Sequence, residues 1–223
     1  SMPQILKRSG IEYFLTNKMV CWNDTNPWKP NTFWWEGPDG SRVLAVVPPG
    51  HFIGMMDADH LDSHWTSFSD KHTIGETIYT YGWGDGGGGV DHEMLECARR
   101  YADFPGLVRT RFSAAEEALD RIQAKAEDAE LPVIRDELYL EAHRGTYTHK
   151  GRLKNLNRRA EFLYREAEAA AALAWLDGRP YPRKRLDEGW LMLLTNQFHD
   201  SLPGTHIPEA YRDIVAEYDL VMA

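Results

Sequence analysis

Ile78-Tyr79-Thr80-Tyr81-Gly82-Trp83-Gly84-Asp85-Gly86-Gly87-Gly88-Gly89 is the stretch on which the reading of this chain turns. Its first four residues are aromatic or β-branched and predict a short strand. The glycines that follow lose much backbone entropy on folding and leave no side chains between backbone and ligand. Asp85 is the one carboxylate in the run. Downstream, Asp91 to Phe104 predicts a helix with Asp91 as N-cap and Met94, Leu95, Ala98 and Tyr101 on one face. Strand, glycine loop with a carboxylate, then helix is how α/β sheets and barrels present their chemistry. A tight turn carrying a solvated Asp is the alternative. A phosphate loop is excluded, because no Gly-Lys-Ser/Thr follows and an acid would repel phosphate.

The rest of the first half alternates short strands with helices. Gln4 to Lys7 reads as helix and Tyr13-Phe14-Leu15 as strand. Thr32 to Gly37 and Arg42 to Val47 flank Pro38-Asp39-Gly40, a hairpin signal. Leu107 to Arg111 predicts a further strand. Ser113-Ala114-Ala115-Glu116 predicts a capping box opening a helix to about Ala126. The second half changes character. Leu153, Leu156, Ala160, Leu163, Ala167, Ala170 and Leu173 recur at spacings of three and four, so Thr148 to Leu176 predicts a long amphipathic helix stopped by Asp177-Gly178. Helices over Leu186 to Phe198 and from Pro208 onward complete a predicted three-helix bundle, with a domain boundary placed between 134 and 135.

Composition narrows the function classes. A net charge of −9 opposes a nucleic-acid role, because phosphate contacts need basic surface. No stretch approaches the apolar length of a membrane span. Two cysteines, Cys21 and Cys97, make neither a disulfide framework nor a metal pair and fit a reducing, cytoplasmic setting. Asn196-Gln197-Phe198-His199-Asp200-Ser201-Leu202-Pro203-Gly204 ends the second predicted helix and leaves an imidazole and a carboxylate at its edge. Such a pair can hold a metal or sugar hydroxyls, and a histidine there can equally serve the helix dipole. His60-Leu61-Asp62-Ser63-His64 offers metal-ligand letters in polar, loop-like surroundings and is expected to be a solvated surface segment.

Several blocks together resemble glycoside hydrolase family 38 α-mannosidases, on the bacterial and cytosolic side of that family. They are Trp22-Asn23-Asp24-Thr25-Asn26-Pro27, Thr32 to Gly37 with Asp39 to Leu44, and Gly84 to Gly89. Glu137 to Glu141, His143 to Thr148, and Asn196 to Asp200 complete the set. The resemblance implies an α/β fold: residues 1–134 the later part of a catalytic α/β barrel, residues 135–223 a helical middle domain. It implies a zinc-dependent retaining exo-α-mannosidase working by double displacement on terminal mannosyl residues of oligosaccharides. It places the acid/base role on Asp85, a zinc-ligand role on His199, and sugar contacts on Asp200. His143, Arg144 and Tyr147 would line the substrate edge. The remaining zinc ligands and the nucleophilic aspartate are expected upstream of this chain, which is then an internal fragment, inactive by itself, of a homo-oligomeric parent enzyme. A non-catalytic carbohydrate-binding module and a purely helical scaffold are the competing readings.

Overall fold

The structure is a computed structural model and describes residues 1–85 and 87–222. Gly86, inside the glycine run, lies outside the described residues. The chain divides into two compact units, Ser1–Ala142 and His143–Ala223.

The first unit is built on a four-stranded sheet in the order β1-β3-β2-β4. The strands are β1 (Tyr13–Leu15), β2 (Thr32–Glu36), β3 (Arg42–Val46) and β4 (Val133–Ile134). The predicted hairpin forms. β2 and β3 pair antiparallel from Thr32↔Val46 to Glu36↔Arg42, and the Gly37 N–H donates to the Ser41 carbonyl at 2.8 Å to close the loop. β1 joins β3 in parallel, and β4 joins β2 in parallel. β3 reads Arg-Val-Leu-Ala-Val because both faces of the sheet are covered. Val43, Ala45 and Val47 pack on one side with Met19, Phe33 and Trp35. Leu44 and Val46 pack on the other with Phe68, Ile74, Leu119 and Ile122.

Around the sheet run α1 (Met2–Arg8), α2 (Lys18–Cys21), α3 (Ala58–Ser67), α4 (His92–Tyr101) and α5 (Ala115–Ala126). Asp91 caps α4 as predicted, its Oδ1 accepting from the Met94 N–H at 2.8 Å. Four expectations need correction. Ile78 to Tyr81 forms no strand: the one bridge nearby, Gly54↔Gly82, lies just past it, and without a ladder the aromatic residues stay irregular. Leu107 to Arg111 is likewise irregular. The capping box at Ser113 does not form, since Ala114 holds the N-cap position and Ser113 Oγ turns to the Ala114 carbonyl and Glu117. The His60–His64 segment is exposed at His60, Asp62 and Ser63 as expected, but it lies within the helix Ala58–Ser67, not in loop. Asp57 caps α3 through the His60 N–H at 2.9 Å, and Leu61 is buried against Met56, Met94 and Ala98.

The second unit is the predicted bundle: α6 (Gly151–Leu176), α7 (Arg183–Thr195) and α8 (Pro208–Val221). Its core joins Leu153, Leu156, Ala160 and Tyr164 of α6 to Leu186 and Leu193 of α7 and to Ile214, Tyr218 and Val221 of α8. Three and four residues separate the α6 members, which is the period of one helix face. A 3₁₀ turn, Glu141–Tyr147, precedes α6. Among the described residues no helix is long and apolar enough to cross a membrane.

Candidate active site

Asp85 belongs to the first unit and sits in a tight turn. The Gly87 N–H donates to the Gly84 carbonyl at 3.1 Å, and Gly84 also bridges Gly88. Gly84 has φ +50°, and a Cβ there would lie 2.4 Å from Ile53 Cγ1, so both backbone and space demand glycine. The turn is tethered on its flanks. The Gly82 N–H donates to Gly54 at 2.9 Å, and Trp83 Nε1 donates to Asp91 Oδ2 at 3.1 Å. The one carboxylate of Asp91 thus caps α4 and fixes the indole beside the turn. Asp85 itself is exposed at the tip. The geometry is that of a carboxylate offered to solvent on a short, braced loop.

The other five candidates belong to the second unit. His143 and Arg144 lie in the 3₁₀ turn before α6, and Tyr147 closes that turn with its side chain open to solvent. The turn is pinned locally by Thr146, whose Oγ1 donates to the His143 carbonyl at 2.6 Å. His199 and Asp200 follow the end of α7. Their side chains face each other, with His199 Nε2 at 3.5 Å from Asp200 Oδ2. Asp200 Oδ1 accepts from Thr205 Oγ1 at 2.6 Å, and His206 Nδ1 meets the Asp200 carbonyl at 2.8 Å. One carboxylate oxygen is therefore committed to holding the loop, while the other faces the imidazole.

What holds this loop was not legible from spacing. The Lys154 ammonium donates to the carbonyls of His149 at 2.6 Å, Leu202 at 3.0 Å and Pro203 at 3.5 Å. It ties the loop carrying His199 and Asp200 to the segment that carries Tyr147. Burial holds the Lys154 amine below its ordinary pKa. Gly204 completes the junction at φ +88°, where a Cβ would lie 2.5 Å from Lys150 Cγ. Under α7's end, Gln197 Nε2 donates to Asn157 Oδ1 and Glu161 Oε1, both at 3.0 Å, and the buried Tyr218 hydroxyl reaches the same Asn157 oxygen at 3.1 Å. A satisfied buried network of this kind stiffens its surroundings.

The blocks at Trp22–Pro27 and Glu137–Glu141 also meet, within the first unit. Buried Asn23 donates to the Tyr139 carbonyl at 3.1 Å and accepts from the Glu141 N–H at 2.8 Å. The Glu141 carboxylate accepts from the Thr25 hydroxyl and from the Thr25 N–H at 2.9 Å, and these bonds hold its pKa below the usual range. These residues fasten two distant stretches of chain.

Residues 1–137 match the description "Glycosyl hydrolases family 38 N-terminal domain", and residues 141–223 match "Alpha mannosidase middle domain". The chain belongs to glycosyl hydrolase family 38. Among its relatives in that family, "Alpha-mannosidase" of Saccharomyces cerevisiae (strain ATCC 204508 / S288c) is 37% identical over 223 residues, covering 95% of this chain and 20% of the relative. "Alpha-mannosidase 2C1" of Homo sapiens is 34% identical over 221 residues, covering 98% of this chain and 21% of the relative. The chain thus spans about a fifth of the length of the curated relatives it matches. A family 38 crystal structure from Enterococcus faecalis aligns with a TM-score of 0.60 at 19% identity, covering 99% of this chain and 24% of that one, which shows a shared fold. The mixed α/β unit followed by a helical bundle is the family 38 order of an N-terminal domain and a middle domain.

Among the described residues no group of three or more His, Cys, Asp or Glu converges as a metal cage. His199 and Asp200 offer one imidazole and one carboxylate, which fits a share of a zinc site and not a closed one.

Proposed function

We propose that this chain forms part of a zinc-dependent retaining exo-α-mannosidase acting on terminal mannosyl residues of oligosaccharides. The observation that carries the reading is the His199–Asp200 pair, braced by Thr205 and Lys154, in a family 38 chain whose relatives bear the name α-mannosidase. Asp85, exposed on its braced turn, gives a proton to the departing glycosidic oxygen and later takes one from the attacking water. Asp200, with one oxygen spent on Thr205, presents the other to a sugar hydroxyl. His199 contributes one zinc ligand through its ring, and His143, Arg144 and Tyr147 line the substrate edge. Zinc, when bound, supplies Lewis-acid stabilisation of the sugar's hydroxyl oxygens.

The nucleophile and the other zinc ligands belong to other segments of the whole enzyme, so this chain by itself does not turn over. Asp85→Asn and His199→Ala in the full-length enzyme, assayed with a nitrophenyl α-mannoside, test the reading. Asp85→Asn is expected to lose rate while keeping sugar binding, and His199→Ala to lose zinc as measured by metal analysis. Wild-type metal content in His199→Ala, or turnover by the 223-residue chain alone, would sink the assignment.

A further inference from the structure

A cavity of about 430 Å³ lies in the first unit between α3, α4, α5 and the irregular segments 75–81 and 108–114. None of the six candidate site residues lines it. Its body is apolar and aromatic, with Met56, Leu61, Trp65, Tyr79, Tyr81 and Phe112 on the wall. A cavity of about 150 Å³ accepts benzene, so this one has room for two fused rings. Among the polar groups on the wall is His64, half-buried, whose Nε2 lies 3.4 Å from the Thr77 hydroxyl and whose ring meets the Tyr79 ring edge-on at 4.9 Å.

Charge gathers at one side. Arg111 and Arg121 both donate to Glu76 Oε1 at 2.8 Å, and Lys125 donates to Oε2 at 2.9 Å. The same cluster includes Ser113, which receives Arg121 at 3.2 Å and donates to Glu117 at 3.3 Å. Arg109, also on the wall, is matched by Asp103 at 2.7 Å. Three cations against the two carboxylates Glu76 and Glu117 leave the cluster positive, on a chain whose net charge is −9. A sugar would need carboxylates and amides turned inward for its hydroxyls. This wall is mostly carbon and guanidinium, and its one carboxylate, Glu76, is already taken up by Arg111, Arg121 and Lys125.

We propose that the cavity binds a small organic anion built on one or two aromatic rings. The rings lie among Trp65, Tyr79 and Phe112, and the carboxylate or phosphate meets Arg111 and Arg121, whose planar forks suit such groups. The site is independent of the mannosidase reading, and neither Asp85 nor His199 takes part.

Calorimetric titration of the 223-residue chain with 2-naphthoate, beside uncharged 2-naphthol, tests the proposal. Naphthoate is expected to bind roughly threefold tighter or better, the scale of one half-exposed ion pair. Arg111→Gln with Arg121→Gln, which removes both guanidinium groups assigned to the anion, is expected to erase that preference and leave naphthol binding unchanged. Ala118→Leu, which adds bulk to the wall from α5, is expected to weaken both ligands. If circular dichroism shows Ala118→Leu unfolded, the charge variant decides alone. Absence of naphthoate binding, equal affinity for the two ligands, or full naphthoate affinity in the charge variant overturns the proposal.

Discussion

Lys154 Nζ donates to the Leu202 carbonyl at 3.0 Å, binding the first turns of α6 to the loop that follows α7. That loop carries His199 and Asp200, so an ammonium on one helix sets the position of a candidate site on another. Lys154→Met keeps the stem and removes the donors, leaving three carbonyls to find other partners. The variant is expected to lose about 1–3 kcal/mol of stability. Amide hydrogen exchange is expected to quicken across residues 199–206 while the middle of α6 stays protected. Unchanged exchange in that loop would show that Lys154 does not hold it.

Gly189 lies inside α7 against Tyr164 of α6, and a Cβ at position 189 would fall 1.6 Å from the phenol oxygen. Alanine normally gains about 1 kcal/mol over glycine inside a helix. Here overpacking of about 1–3 kcal/mol opposes it. Gly189→Ala is therefore expected to lower the urea midpoint, and Tyr164→Leu in the same chain to restore part of the loss. A raised midpoint in the single variant would contradict the packing seen here.

Burial pulls the His64 imidazole down from 6.5 to about 4, against the pull of its backbone bonds to Pro49 and Ile78. The groups facing it, the Thr77 hydroxyl at 3.4 Å and the Tyr79 ring, bring no charge. A base whose pKa falls on folding costs nothing while both states are neutral. As pH drops below about 6.5 the unfolded chain takes up the proton first, so stability declines until about pH 4. His64→Gln is expected to remove that slope, on the order of 2–3 kcal/mol across the window. Urea midpoints at pH 7 and pH 4.5 measure it.

Glu76 acts in the same sense at lower pH, but because pairing favours its charged form. Burial pushes its carboxyl up, yet Arg111, Lys125 and Arg121 together hold it down at about 2, from 4.5. The stabilisation is full above pH about 4.5 and is lost as pH falls toward about 2. Its size is on the order of 2 kcal/mol. Glu76→Gln is expected to destabilise the chain at pH 7 and to flatten the acid limb between pH 4 and pH 2.5. A wild-type midpoint at neutral pH in that variant would remove Glu76 from the account.

The readings that held rest on physics acting over a few residues. Pro38-Asp39-Gly40 turns β2 into β3, Asp91 caps the residue three further on, and the apolar period that opens α6 at Leu153, Leu156 and Ala160 shows in its own letters. Each needs little beyond a neighbouring turn or helix face. Asp85 and its glycine loop were legible for the same reason, because a run of glycines around a carboxylate is unusual whatever surrounds it. Further along α6 the expected Leu163, Ala170 and Leu173 are exposed, and Tyr164 is buried instead. Readings that failed lacked a partner: Ile78 to Tyr81 has strand residues but no ladder, and the one bridge nearby, Gly54↔Gly82, lies just past it. The metal-like letters of His60 to His64 hid a helix, whose Leu61 is buried against α4.

By itself, then, the amino-acid order determined the helices of the bundle, the hairpin, and the exposed carboxylate on its glycine turn. Tertiary structure alone decided that Asn23 would clasp Glu141 across 118 residues, that Lys154 would hold a loop 48 residues away, and that three cations would crowd Glu76. Propensity and periodicity are properties of adjacent residues, whereas a hydrogen bond between distant ones exists only after the backbone has brought them together. No spacing rule encodes that approach, so the devices that brace the candidate site and form the cationic cavity became visible only in the folded chain.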